Sequence, residues 1–209
     1  MSAWGRQKRG VDDLVEAVAN DRTACVVVLR HRTFDDDAAA ALAAAIRRSS
    51  TFEELRCSGH AISATGAAAL GDAIGASRTA RVVDVGDGTL GDEGVEALAS
   101  CLRCPTLEAL ELEAKGVGDA GLAAIAKGVA AAPALDALVL GRNAFGDVST
   151  LADALAARGR RLGFLDVSEN ANLVGAAKLA PFATRLRCGG LAPGAFDPRG
   201  LAGLEGLAA

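Results

Sequence analysis

Two rhythms of apolar residues alternate along the chain. In Leu110-x-Leu112 every second position is apolar, the period of a strand with one buried face. Shortly after it, Gly121, Ile125 and Val129 recur four apart, the stripe of a helix with one buried side. The pair of rhythms repeats. Around them the residues Leu107, Leu110, Leu112, Lys115, Val117, Gly121, Ile125 and Val129 have earlier counterparts in Ala80, Val83, Val85, Gly88, Leu90, Gly94, Leu98 and Leu102. Before those come Phe52, Leu55, Cys57, His60, Ile62, Gly66, Leu70 and Ile74, and a first unit reads Ala24, Val27, Leu29, Arg32, Phe34, Ala38, Leu42 and Ile46. Downstream, Leu135, Leu138, Leu140, Asn143, Phe145, Leu151 and Leu155 form a fifth unit, and Leu162, Leu165, Val167, Asn170, Leu173 and Leu179 a sixth. An irregular seventh begins at Leu186 and Cys188.

The second apolar residue of each strand falls at 29, 57, 85, 112, 140, 167 and 188, spaced 28, 28, 27, 28, 27 and 21. A fixed period of this length is the signature of a repeat architecture, in which no unit buries its apolar face alone. The pattern resembles the leucine-rich repeat family, in its long ribonuclease-inhibitor-like subtype. That resemblance implies an α/β fold: a curved right-handed solenoid of about seven strand-helix units, with a parallel sheet on the concave face and helices on the convex face. Parallel strands lie about 4.8 Å apart and helices pack at about 8–10 Å, so such a coil must bend toward its sheet. Residues 1–10 are expected to be a flexible tail preceding a single domain over 11–209. Within it, 11–20, with Val11, Leu14, Val15 and Val18 on one face, is expected to be a capping helix. Regular repeats are expected over 24–182 and an irregular last unit over 183–209, where Phe196, Gly200, Leu204 and Leu207 suggest a packed final segment.

The turns between strand and helix repeat as well: Gly91-Asp92-Glu93-Gly94, Gly118-Asp119-Ala120-Gly121 and Gly146-Asp147-Val148-Ser149. Asp92, Asp119 and Asp147 are expected to cap the helices that follow them, as are Asp35-Asp36-Asp37 and Ser63 in the first two units. Family members usually place Asn or Cys three residues after the second strand leucine, where the side chain satisfies turn backbone. This chain has Arg32, His60, Gly88, Lys115, Asn143 and Asn170 there, so the N-terminal turns are expected to lack that ladder and to be less regular.

Of the 209 residues, 51% are hydrophobic and only 3% aromatic, so the core must consist of thin layers of Ala, Leu and Val. A net charge of -4 gives no general attraction to phosphate backbones, and no stretch interleaves Lys/Arg with aromatics; nucleic acid is not expected as a partner. No run of apolar residues approaches the roughly 18 to 20 that a membrane helix needs, and membrane is not expected either. Basic residues near Met1 lead into Val11-Asp12-Asp13 rather than an apolar stretch, and the five cysteines have no framework spacing. Both point to a cytoplasmic protein, with the nucleus as the other compartment open to it.

Catalytic patterns are scarce, and neither catalytic residues, metal ligands nor cofactors are expected. Cys101-x-x-Cys104 has half of a zinc ligand set, but the only imidazoles, His31 and His60, sit on turns elsewhere, Cys101 lies beside the helix core position Leu102, and Cys104 precedes Pro105 at that helix's end. The aspartate triplet lacks a second oxygen-rich cluster to complete a calcium cage. Glycine pairs such as Gly86-Asp-Gly88 have no following Gly-Lys-Ser/Thr and recur with the repeat.

Strand alternation sends a defined set of side chains to the concave surface. The expected partner-binding residues are Val28, Arg30, Arg56, Asp84, Glu111, Glu113, Val139, Phe164, Asp166 and Arg187, with an acidic centre and basic ends. Resemblance and layout together imply a protein-interaction scaffold with another protein as partner, a basic patch being the feature that would suit the acidic centre. Two alternatives stay open: a regulator of a small GTPase resembling the Ran GTPase-activating proteins, and a fragment of a larger immune-receptor-like array.

Overall fold

A computed structural model describes residues 10–189. Its strands are β1 (Cys25–Val27), β2 (Glu54–Ser58), β3 (Val82–Gly86), β4 (Ala109–Glu111), β5 (Ala137–Val139), β6 (Leu162–Asp166) and β7 (Ala183–Arg187). They form one parallel sheet in sequence order, each strand paired with its successor. The helices are α1 (Asp12–Ala19), α2 (Asp36–Ile46), α3 (Ala64–Ala76), α4 (Gly91–Leu98), α5 (Asp119–Val129) and α6 (Ser149–Arg158). A 3-10 turn, Ala99–Arg103, extends α4, and another, Ala176–Phe182, takes the helix position of unit six. Pro181 lies inside that turn, and the shorter step to β7 leaves no room for a full helix. The tail expected over 1–10, apart from Gly10, and the last unit beyond 189, with Phe196, Gly200, Leu204 and Leu207, lie outside the described residues.

Sheet register follows the repeat through the middle of the chain. Leu55, Val83, Leu110, Leu138, Leu165 and Leu186 align across β2 to β7. All but Leu186 are essentially sealed from solvent, as are the helix positions Leu42, Leu70, Leu98, Ile125 and Leu151. One continuous core runs between sheet and helices, and each unit is closed only by its neighbours.

The first unit departs from the expected register. Val26, not Val27, aligns with Leu55, and Val26 and Val28 are buried while Val27 and Leu29 are 47% and 54% exposed. From Ala24 to Leu29 every residue is apolar, so the sequence there carries no period-two signal to choose a face. Pairing to β2 chooses it, with the Val28 amide donating to the Arg56 carbonyl at 2.8 Å.

Side chains one repeat apart stitch the units together. Asp35 caps α2 through the Ala38 amide and Ser63 caps α3 through that of Thr65, but Asp92 and Asp119 do not cap their own helices. Asp92 reaches forward to the amides of Gly118 and Gly121 at the start of α5, and Asp119 to those of Gly146 and Asp147. Each carboxylate therefore stabilises the helix entry of the next unit, where orphan N–H groups need acceptors. Asp36 does the same for Ser63. Asp147 stays local, accepting from Ser149.

The turn ladder is not confined to the two asparagines. Asn143 donates to the carbonyls of Leu112, Leu140 and Gly141, and Asn170 to those of Leu140, Val167 and Ser168. Upstream, His60 Nε2 donates to the Val28 carbonyl at 3.1 Å, its ring edge-on to Phe34. Gly88 offers no side chain, and Lys115 fills its place: the buried ammonium reaches the Gly86 carbonyl at 2.9 Å and Ser58 Oγ at 2.6 Å. The chain also turns through the left-handed region at Gly59, Ala114, Arg142 and Glu169, each two residues after its core strand position.

Candidate functional site

Outward side chains of the sheet form three rows across the concave floor. The first runs Cys25, Glu54, Val82, Ala109, Ala137, Phe164 and Arg185; the second Val27, Arg56, Asp84, Glu111, Val139, Asp166 and Arg187. Beyond them Leu29, Ser58, Glu113 and Arg30 lie toward the turns. Arg56, Asp84, Glu111, Val139, Phe164, Asp166 and Arg187 thus belong to one surface, flanked by Arg30 and Glu113. Val28 does not belong to it: it is 4% exposed and packs into the core, its place taken by Val27 and Leu29. The shift makes the N-terminal end of the floor apolar.

The expected acidic centre is an ion-pair network. Lys115, side chain 2% exposed, holds Asp84 at 3.0 Å. Arg56 bridges Glu54 and Glu111, with Nη1 3.1 Å from each Glu111 oxygen. Arg187 pairs with the nearly buried Asp166 at 3.2 Å, and Arg142 lies between Glu113 and Glu169. Glu54 sits below the usual carboxylate range chiefly because it accepts from Arg56. Lys115, Arg142 and Glu169 had no place in the sequence-based set, since only the fold brings them to these acids. Six carboxylates, Glu54, Asp84, Glu111, Glu113, Asp166 and Glu169, share four cations in these pairs, Arg56, Lys115, Arg142 and Arg187, so the acidic charge of the floor is reduced but not cancelled. Arg30 makes no ion pair among the described residues; its guanidinium lies against Gly59.

Between the charged groups the floor is low and apolar. Ala109, Ala137 and the half-buried Val139 separate Glu111 from Phe164, whose ring is covered by the Arg185 guanidinium at 5.4 Å. The surface suits a broad contact with bulky apolar side chains better than a small molecule.

The reactive residue types stand apart. Cys57, Cys101, Cys104 and Cys188 are buried, and burial pushes the thiols of Cys57 and Cys101 up to about 12. Cys104 Sγ lies 3.4 Å from the carbonyls of Ser77 and Ala80. Cys25 alone is exposed, its thiol raised first by partial desolvation and then by Glu54. Among the described residues no three of His, Cys, Asp and Glu gather to hold a metal ion, and no helix is long and apolar enough to cross a membrane. Asp35 and Asp36 are engaged in hydrogen bonds to α2 and Ser63.

A family model for the leucine-rich repeat matches residues 77–99, the segment that enters β3, turns and forms α4. No curated protein matches the sequence. Among solved structures, the chain is similar to leiomodin-1 actin-binding site 2, with 15% identity and a TM-score of 0.54 over 71% of this chain and 89% of that one. It is also similar to the tropomodulin C-terminal domain of Caenorhabditis elegans, with 18% identity and a TM-score of 0.55 over 71% of this chain and 93% of that one.

Proposed function

We propose that this chain, which has the fold of leucine-rich repeat proteins, serves as a non-enzymatic interaction module whose concave sheet face binds another protein. One observation carries the reading: the seven-stranded floor joins side chains from strands up to 162 residues apart in sequence (Arg187 minus Cys25) into a single open surface. Six strand intervals span roughly 30 Å, wide enough for the roughly 800 Å² per partner of a standard interface. The binding residues are Val27, Leu29, Arg30, Arg56, Glu111, Glu113, Val139, Phe164 and Arg187, with Asp84 and Asp166 holding the cations in place beneath. The partner contributes apolar side chains to the Ala109–Ala137–Val139 strip and polar or basic groups at its rim, where Arg56 and Arg142 are each shared by two acids.

The unpaired thiols support a cytoplasmic setting for this activity. Leiomodin-1 actin-binding site 2 shares the fold, which makes actin a ready first probe. Affinity enrichment with the full chain, compared with Val139→Lys/Phe164→Ser, tests the site. The floor variant is expected to lose the specific partner, while a convex-face variant, Glu96→Lys/Lys127→Glu, keeps it. Loss from the convex variant alone would move the site to the helices. A hydrolysis assay with small GTPases separates the regulator alternative, since a plain binding module gives no acceleration.

A further inference from the structure

The N-terminal edge of the sheet carries a second binding feature, in the backbone of β1. Ala24 accepts from the amides of Glu53 and Glu54, and the Val28 amide donates to Arg56, so Ala24, Val26 and Val28 turn their backbone groups toward β2. Cys25, Val27 and Leu29 turn theirs the other way. Thr23 Oγ1 closes the Cys25 pair, accepting from its N–H and donating to its carbonyl at 2.7 Å. The Leu29 carbonyl accepts from Arg32. The N–H and C=O of Val27 and the N–H of Leu29 have no partner among the described residues. Those same two residues have the exposed apolar side chains, and β1 has neither the proline, the lysine nor the bulge that blunts a free edge.

The helical layer continues where the sheet stops. α1 packs on α2 as the helix of a preceding unit would, burying Val18 and half-burying Leu14 and Val15. Among the described residues no strand lies beside β1 on that side, beneath α1. The sequence of residues 1–9, Met-Ser-Ala-Trp-Gly-Arg-Gln-Lys-Arg, has no alternating aliphatic residues to match Val27 and Leu29. A second copy pairing β1 to β1 would bring two α1 helices over one junction. Strands there are about 4.8 Å apart, whereas helices need about 8–10 Å.

We propose that an extended segment of a partner protein, with aliphatic side chains at alternate positions, adds to the sheet as a strand beside β1. It hydrogen-bonds to the Val27 N–H and C=O and lays apolar side chains over Val27 and Leu29 on one face and toward α1 on the other. This is strand addition, in which main-chain bonds give affinity and alternate side chains give selectivity. It shares Val27 and Leu29 with the concave-floor reading but rests on the free backbone groups of β1, and the floor variant Val139→Lys/Phe164→Ser, which leaves β1 untouched, separates the two.

The probe is a peptide of alternating valine and threonine carried on a soluble fusion, titrated into the full chain with amide exchange followed by NMR. Without probe the Val27 and Leu29 amides are expected to exchange rapidly; at saturation they slow at least about tenfold. Val27→Pro removes an outward N–H that no described residue uses. It is expected to weaken probe binding at least about tenfold with the melting temperature unchanged, while Val27→Thr retains binding. Four results would overturn the proposal. The probe fails to bind at about 1 mM; Val27→Pro binds it normally; the free amides are slow at every concentration, meaning the chain covers its own edge; or they slow as concentration rises, meaning a second copy does. The exchange experiment uses no variant, so it decides even if Val27→Pro unfolds.

Discussion

Replacing Lys115 by Met removes a charge the fold has enclosed. The ammonium is 2% exposed and makes three contacts: Asp84 at 3.0 Å, Ser58 Oγ at 2.6 Å and the Gly86 carbonyl at 2.9 Å. At that separation the Coulomb attraction to Asp84 is about 5 kcal/mol for an effective dielectric near 20, much of it offset by the cost of drying both groups. Met keeps the aliphatic stem but leaves the Asp84 carboxylate, itself only 16% exposed, without its cation. Breaking one side of a buried pair costs about 3–5 kcal/mol. For a chain of this size that is roughly 6–20 °C in melting temperature. Urea unfolding of Lys115→Met, Asp84→Leu and the double variant closes a cycle. The single variants are each expected to lose several kcal/mol and the double variant much less than their sum. If Lys115→Met costs under about 1 kcal/mol, or if the two losses simply add, the ammonium does not stand in for the missing Gly88 side chain.

The corrected register of β1 is tested by Val26→Asp against Val27→Asp. The first buries a charge and is expected to cost more than about 3 kcal/mol, the second less than about 1, as read by circular dichroism melts. Thiol titration of the native chain is expected to find one accessible cysteine, Cys25, with the other four reacting only on unfolding, and Cys101→Ser/Cys104→Ser is expected to leave metal content unchanged. Asp36 is held below the ordinary carboxylate value, first by the Ser63 hydroxyl. Its contribution is present above the unfolded value of about 3.9 and is lost as pH falls through the lower folded value. The melting temperature is therefore expected to hold between about pH 7 and 5 and to drop below about 4, with a smaller drop in Asp36→Asn.

Much of the array can be read from the sequence because its core positions recur against polar neighbours. Val83 and Leu110 are each followed by an acid, Asp84 and Glu111, which marks the outward face, and the structure aligns both pairs as the spacing predicts. Around Val26 the neighbours are all apolar, both faces are equally plausible, and only pairing to β2 breaks the tie. Long-range partners are hidden for a different reason. Asp92 caps a helix 27 residues ahead in place of its own (Asp119 minus Asp92), and a local pattern cannot say which N–H it meets. Likewise Lys115 reads as a polar turn residue until the fold shows that Gly88 leaves it a buried slot. The concave rows were legible in outline, but the matching of Asp84, Glu111 and Asp166 to cations depends on side-chain reach across strands.

Whether the concave floor meets the partner is decided by photo-crosslinking with benzoylphenylalanine placed at Val139 or at Lys127 in the full chain. Val139 sits half-buried mid-floor on β5, and Lys127 is exposed on α5 of the convex side. A covalent adduct with the enriched partner is expected from position 139 and none from 127. An adduct from 127 with none from 139 would contradict a concave interface.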